Sequence, residues 1–345
     1  MHIYFSTFIT GLSDIIEKEL KEKIEDVSIK LIQDTFIIYE TSVPKDRITS
    51  LRFFNNTFVL VKTFKTIDTS TKAINKIIKE TINDQEFFHH LNKNIPKKKN
   101  SFRIVISVDN QMVSPDKNVL YKLENKISEK LNMQIHRSLP DVELWYFIRR
   151  EGNAYFGVRL TTHTEYTKIL NKGELHPELA NILCYLSEPS KTDIFLDPFA
   201  GSGAIPIERA IAFPYNKIIA GDYSIHVIKT LKIKTNKVKK IIEVKKVDAL
   251  TMSNFKDKTI NKIVTDPPWG INIGKELDLE YFYRTMLQEF YRILKINGII
   301  VILIGKKDIF ENVLLEFSNQ LQLKQQYNIL VSGKKAGIYK LRKYI

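Results

Sequence analysis

The sequence predicts an α/β protein whose C-terminal half is a doubly wound, largely parallel sheet closed by a β-hairpin, preceded by smaller α+β modules. Three observations carry this expectation. From residue 173 onward, strand-like runs at 194–197, 218–222, 244–247, 260–265 and 299–304 alternate with helical stretches, as in sheets built through crossover helices. Two of these runs end in Asp197-Pro198-Phe199-Ala200-Gly201-Ser202-Gly203 and Thr265-Asp266-Pro267-Pro268-Trp269-Gly270, at the carboxyl ends of strands, where open α/β sheets bind ligands. Alternation then stops: residues 327–331 and 338–343 flank Ser332-Gly333-Lys334-Lys335-Ala336-Gly337 and read as a hairpin.

The N-terminal half reads as two modules. Residues 1–60 carry a strand at 3–8, a helix from a Ser13 cap to residue 20, a strand at 31–39 and a helix near 48–54. Residues 61–160 carry a helix at 71–82, a basic loop at 93–100, a strand at 102–108, a helix at 118–131, and strands at 144–149 and 154–160. Gly152-Asn153 joins the last two as a hairpin. The polar stretch 161–174 is the expected linker. Lys93, Lys97, Lys98 and Lys99 make the basic loop a candidate phosphate-binding patch, and equally a solvated turn. Lysine at helical spacing recurs over residues 229–246.

A chain of 345 residues with 43% hydrophobic and 27% charged residues can bury two or three cores, which excludes a disordered protein. Its net charge of +14 favours a polyanionic partner, although a lysine-rich proteome yields the same balance. The single cysteine, Cys184, excludes internal disulfides and Cys-clustered zinc or iron–sulfur sites. It lies in the apolar helical stretch 179–186 and reads as core filler; no metal is expected. The first residues lack a basic stretch ahead of an apolar one, and no run reaches the ~18 apolar residues of a membrane span, so a soluble cytoplasmic protein is expected.

A strand, a Gly-x-Gly turn and a helix starting near Ala204 aim backbone N–H groups and side-chain-free positions at a ligand. No Gly-Lys-Ser/Thr follows, which excludes a P-loop, and Pro206 stands where a dinucleotide fingerprint has its third glycine. What remains is a nucleoside carrying an amino-acid cation, S-adenosyl-L-methionine. Asp222, ending the second strand, can accept both ribose hydroxyls. Asp248, ending the third, can take the adenine amino group; for both, a helix N-cap is the alternative. Asp197 orients the turn and reaches toward the methionine ammonium. The cofactor set is Asp197, Phe199, Gly201, Ser202, Gly203, Asp222, Asp248 and Ala249.

At Asp266-Pro267-Pro268-Trp269 two prolines stiffen a loop and turn carbonyls and a carboxylate inward. An exocyclic amine of a nucleobase is a poor nucleophile because its lone pair is delocalised. Accepting its hydrogens at Asp266 and at the Pro267 carbonyl favours the pyramidal nitrogen that attacks a sulfonium methyl. Trp269 would stack on the base. Asp266, Pro267, Pro268 and Trp269 are therefore the catalytic candidates, against a plainer reading as a proline-rich loop with a core tryptophan.

Residues 197–210 (DPFAGSGAIPIERA) and 265–270 (TDPPWG) resemble the class I amino-methyltransferases that make N2-methylguanosine in tRNA and carry a THUMP domain ahead of the catalytic one. More loosely, Ser101-Phe102-Arg103-Ile104-Val105, Leu139-Pro140-Asp141-Val142-Glu143-Leu144 and Tyr155-Phe156-Gly157-Val158 are similar to THUMP strands and turns, and Leu175-His176-Pro177-Glu178-Leu179-Ala180 to the segment before the cofactor strand. The resemblance implies a ferredoxin-like domain over 1–60, a THUMP RNA-binding domain over 61–160, a linker over 161–174 and a Rossmann-like methyltransferase domain over 175–345. It also implies tRNA as partner; the oligomeric state is not set by the sequence, and a monomer is the favoured expectation. GSGAIPIE resembles enzymes acting on an acceptor-stem guanosine, whereas Asp at 266 is common among those acting near the D-arm, and Trp269 replaces the more usual Tyr or Phe. DNA adenine-N6 methylation shares the Asp-Pro-Pro-aromatic logic, and a non-catalytic RNA-binding or chaperone protein is the rival of another class.

Overall fold

The computed structural model describes residues 1–65, 68–161, 174–270, 274–331 and 333–344. Residues 162–173, most of the expected linker, lie outside this description. Two compact units divide the chain: Met1–Thr7, Glu19–Leu51 and Asn56–Thr162 form one, and Phe8–Lys18, Arg52–Asn55 and His163–Ile345 the other.

The first half of the chain runs β1 (His2–Thr7), α1 (Ser13–Lys23), β2 (Ser28–Gln33), β3 (Phe36–Thr41), α2 (Lys45–Thr49) and β4 (Asn56–Lys65). It continues with α3 (Thr71–Ile82), α4 (Gln85–Asn94), β5 (Ser101–Val108), β6 (Gln111–Met112), α5 (Lys117–Leu131), β7 (Gln134–Ile135), β8 (Val142–Arg149) and β9 (Asn153–Arg159). These strands make one sheet in the order β2-β3-β1-β4-β9-β8-β5-β6, with β7 beside β5. Helix α3 shows why the pattern works: Ser70 Oγ caps Ala73 N at 3.1 Å, and Ile74, Ile77, Ile78 and Thr81 bury one face.

Several expected elements shift. The strand expected at 31–39 is two strands, β2 and β3, because Thr35 takes a φ of 71° and turns the chain. The helix expected near 48–54 is α2, which ends at Thr49. Strand β4 and helix α4 were not legible; α4 is started by Asp84, whose Oδ1 accepts Phe87 N at 2.9 Å, and it absorbs Lys93 into its last turn.

The remaining elements are α6 (Pro177–Leu186), β10 (Ile194–Asp197), α7 (Ala204–Ala212), β11 (Lys217–Asp222), α8 (Ile225–Asn236), β12 (Glu243–Lys246) and β13 (Ile260–Thr265). After them come α9 (Leu279–Ile293), β14 (Leu294–Ile304), α10 (Lys307–Glu316), β15 (Leu321–Val331) and β16 (Lys334–Lys343). The sheet order is β12-β11-β10-β13-β14-β16-β15. Strands β12 to β14 are parallel, and β16 enters antiparallel beside β14, so the hairpin closes the sheet as expected. Strand β14, flanked by β13 and β16, buries Ile299 through Ile304 on both faces, each such side chain contributing about 1.5–3 kcal/mol. Over it lies α9, capped by Asp278 and burying Phe282, Tyr283, Met286, Leu287, Phe290 and Ile293.

Two ionic ties, one fully buried and one with an exposed arginine, hold the helices that carry the site. Arg209 on α7 is fully buried, donating to Asp193 Oδ2 at 2.7 Å, Ser187 Oγ at 3.2 Å and the Pro214 carbonyl at 2.9 Å. Its neighbour Glu208 accepts Asn181 Nδ2 at 2.8 Å and a two-pronged contact from Arg52 at 2.5 and 2.7 Å. Arg52 thus belongs with this unit although it is 156 residues away in sequence.

Candidate active site

Parallel pairing sets Asp197 opposite Ala220 and Asp222 opposite Lys246, so the first three strands end at staggered levels around one loop. That loop, 198–203, is tied down by its own backbone. Ala200 N donates to the Gly221 carbonyl at 2.8 Å and Gly203 N to the Ala200 carbonyl at 2.7 Å. Gly201 and Gly203 take φ values of 49° and 91°, a region that side chains disfavour. At Gly203, which starts α7, an added Cβ would also stand 2.6 Å from Leu231 Cδ1, whereas at Gly201 it would make only an ordinary contact with the Phe199 carbonyl oxygen at 3.8 Å. The turn therefore presents a bare, open surface at the head of a helix.

Three carboxylates lie at or just past the ends of these strands. Asp222 accepts Gly201 N at 3.2 Å and Ser224 N at 2.9 Å; the cap of α8 is Ser224, not Asp222. Asp248 accepts Leu250 N at 2.9 Å in a turn that no helix follows, so neither acid is a helix cap. Asp197 is buried, with Oδ1 accepting Thr265 Oγ1 at 2.7 Å and Phe199 N at 3.2 Å. Its Oδ2 is buried with no partner among the described residues. Burial pushes the Asp197 carboxyl up to about 8, against its hydrogen bonds, with the charges of Asp266 and Asp222 adding to the rise. A cation placed at Oδ2 would favour the ionised form of this carboxyl, and the ammonium of an amino-acid cofactor has the chemistry to do so. Phe199 is half-buried against the Phe282 ring at 5.8 Å, Ser202 is half-buried, and Ala249 packs into the core.

The second motif adjoins the first through the Thr265–Asp197 hydrogen bond, which couples the ends of β13 and β10. Asp266 follows Thr265 directly, and burial raises its carboxyl to about 7, opposed by one hydrogen bond from Trp269. That bond runs from Trp269 Nε1 to Asp266 Oδ1 at 2.7 Å. Pro267 is buried and Pro268 half-buried. The indole lies on Gly305, just past β14, where an added Cβ would stand 2.5 Å from Cδ2 and 2.7 Å from Cγ. Trp269 is thus engaged by the protein along one edge and one face, where the sequence offered either a platform for a base or a core tryptophan.

Thr265, Tyr283 and Gly305 escaped the sequence reading. Thr265 had a signal, its place between a strand and Asp266. Tyr283, buried on α9 with its hydroxyl unpartnered among the described residues and its pKa raised to about 12 by burial and the Asp266 charge, had none. The basic residues form a separate group in the first unit. Lys93, Lys97, Lys98 and Lys99 are exposed, and Lys99 Nζ lies 3.9 Å from Asp141 Oδ1. Among the described residues no group of His, Cys, Asp or Glu is placed to hold a metal ion, and no helix is long and apolar enough to cross a membrane.

A parallel sheet with a glycine turn after its first strand, acids ending the next two, and an antiparallel strand entering through a hairpin define a class I methyltransferase domain. The fold matches the crystal structure of TrmN from Thermus thermophilus with a TM-score of 0.77 at 18% identity, over 99% of this chain and 100% of that one. The chain belongs to the RMKL-like methyltransferase-domain family (UPF0020), whose model matches residues 164–336. A relative named tRNA (guanine(10)-N2)-dimethyltransferase, from Methanocaldococcus jannaschii, is 23% identical over 79% of this chain and 82% of its own length. Another, named tRNA (guanine(6)-N2)-methyltransferase, from Thermus thermophilus, is 26% identical over 53% of this chain and 56% of its own length. S-adenosylmethionine is the cofactor this methyltransferase fold implies, and the open glycine turn with the unpartnered Asp197 oxygen fits it.

Proposed function

We propose that this protein is a cytoplasmic, monomeric tRNA methyltransferase that places a methyl group on the exocyclic N2 of a guanosine. The observation that carries the reading is the Thr265–Asp197 link, which puts the amine-binding carboxylate of Asp266 one residue from the strand pair that holds the cofactor turn. Bound S-adenosylmethionine supplies an electrophilic sulfonium methyl. Asp197 Oδ2 holds the ammonium, Asp222 the ribose diol and Asp248 the adenine amine, with Phe199, Gly201, Ser202, Gly203 and Ala249 shaping the cradle. Asp266 and the Pro267 carbonyl accept the hydrogens of the target amine and aim its lone pair at the methyl, so that catalysis is positioning and electrostatics.

Residues 1–60 and 61–160 serve, in this reading, as ferredoxin-like and THUMP parts that grip the RNA, 161–174 as the linker and 175–345 as the methyltransferase domain. An acceptor-stem guanosine is the favoured target, supported by GSGAIPIE and by the relative named for guanosine 6. Guanosine 10 is the second reading, favoured by Asp266 and by the broader match to the relative named for that position. Mass spectrometry of nucleosides and of nuclease fragments from tRNA incubated with enzyme and cofactor tests both: N2-methylguanosine must form, and the fragment bearing it names the site. Absence of that nucleoside, or methylation of duplex DNA instead, would overturn the proposal.

Two further expectations follow from the geometry. Asp222→Ala should weaken cofactor binding by ~1.5–3 kcal/mol, the range for hydrogen bonds to a charged group, with RNA affinity little changed; calorimetry reads both. Unaltered cofactor affinity would remove Asp222 from the ribose. Replacing Lys97, Lys98 and Lys99 together by Ala should weaken tRNA binding and flatten its salt dependence. Because Lys99 is already near Asp141, the loss should be about two counterions' worth rather than three. A slope equal to that of the unaltered chain would show that the loop meets no phosphate.

A further inference from the structure

Trp269 is held in a way that a base-stacking platform does not require. Its Nε1–H points along the 2.7 Å bond to Asp266 Oδ1, three residues back across two prolines. The face of its ring is set against Gly305, where any β-carbon would collide with Cδ2 and Cγ. Donor, acceptor and backing surface thus form a closed clamp between the loop after β13 and the end of β14. A half-buried carboxylate on a loop has several accessible rotamers, and a hydrogen bond from a ring that cannot recede selects one of them.

We propose that Trp269 is a positioning residue: its indole N–H, backed by Gly305, fixes the Asp266 carboxylate in the orientation that receives the target amine. The assignment rests on the methyl-transfer reading above for its kinetic consequence, but the clamp itself does not. The indole occupies Oδ1, which directs Oδ2 and the remaining lone pair of Oδ1 at the amine. The groups that face Asp266 electrostatically are Asp197 on β10 and Tyr283 on α9. Neither donates a hydrogen bond to it among those described, so the indole is the contact that favours its charged form.

Trp269→Phe keeps an aromatic ring and removes the donor; Gly305→Ala keeps the donor and displaces the ring. Both are assayed in the full chain with S-adenosylmethionine and full-length tRNA. Each should lower kcat by about 10- to 100-fold, the loss of one hydrogen bond to a charged group, with KM for tRNA and cofactor affinity within about twofold. In Trp269→Phe the acid limb of the kcat profile should also move to higher pH, because a stabiliser of the carboxylate has gone. Independently of any RNA, the chain labelled with 15N-tryptophan should show two indole N–H signals, from Trp145 and Trp269. The Trp269 signal should titrate with pH and cease to do so in Asp266→Asn, while Trp145, bonded to Glu143 at 3.0 Å, keeps its behaviour. Unchanged kcat in Trp269→Phe, or a raised KM with kcat intact, would overturn the assignment in favour of stacking alone. A Trp269 signal indifferent to Asp266→Asn would overturn the clamp itself. A wild-type chain that methylated no RNA would remove the functional reading, and the indole titration would still decide the pairing.

Discussion

Asp266→Ala is expected to lower turnover by at least ~100-fold while leaving the binding of S-adenosylmethionine and tRNA nearly intact. The reason is that Asp266 acts on the reacting amine, whose lone pair must be drawn out of conjugation only as the methyl transfers. Burial raises its carboxyl to about 7, so below that pH the group is a neutral acid with weakened acceptor capacity. The sign follows: kcat should rise as pH increases through about 7, and this limb should vanish in Asp266→Asn, which keeps one acceptor oxygen but cannot ionise. Asp197, raised to about 8 by burial, should titrate in cofactor affinity instead, since an ammonium at Oδ2 requires the carboxylate. Single-turnover measurements across pH separate the two limbs. A near-normal rate in Asp266→Ala would remove this residue from the chemistry.

Arg209→Ala carries the largest expected effect on stability. The guanidinium is fully buried, bonded to Asp193, Ser187 and the Pro214 carbonyl, and lies over the Phe195 ring at 5.1 Å. Its removal strands the buried Asp193 carboxylate, a change that costs ~3–5 kcal/mol. Urea denaturation of the full chain should show a matching fall in unfolding free energy, and the turn at Gly203 should loosen with α7. Replacing both partners together, Arg209→Met with Asp193→Leu, should cost much less because no charge is left buried. An unfolding midpoint equal to that of the unaltered chain would show that the pair contributes nothing.

Elements whose signals are local were legible in the chain. Strand β10 and strand β13 begin and end where the sequence placed them, because apolar strand-like runs there stop just ahead of Pro198 and Pro267, which force a turn. The hairpin of β15 and β16 was legible as a hairpin but not in its extent: Val331 already pairs with Lys334, so Lys334 to Gly337, expected in the turn, belong to β16, and β15 starts at Leu321 rather than at 327. Strand β4 and helix α4 did not, since short apolar stretches suit a strand and a buried helix equally. The merging of 31–39 into one strand failed for a related reason: Asp34-Thr35 carries no glycine, and Thr35 adopts its positive φ because β2 and β3 pair on either side of it.

By itself the sequence determined the methyltransferase half of the fold and the placing of Asp197, Asp222, Asp248 and Asp266 at or just beyond strand ends. Periodicity and the fixed torsions of Gly and Pro act over a few residues and need no distant partner. Only the tertiary structure decided which polar groups are already paired. Asp197 Oδ1 is taken by Thr265 from 68 residues away, Glu208 by Arg52 from 156 residues away, and the Trp269 ring is seated on Gly305. Such pairings are set by how strands and helices stack, and a buried charge or donor must be matched by whatever the packing brings beside it. For that reason the residue types of the site could be read from the chain, while the difference between a stacking platform and a clamp on Asp266 emerged only in three dimensions.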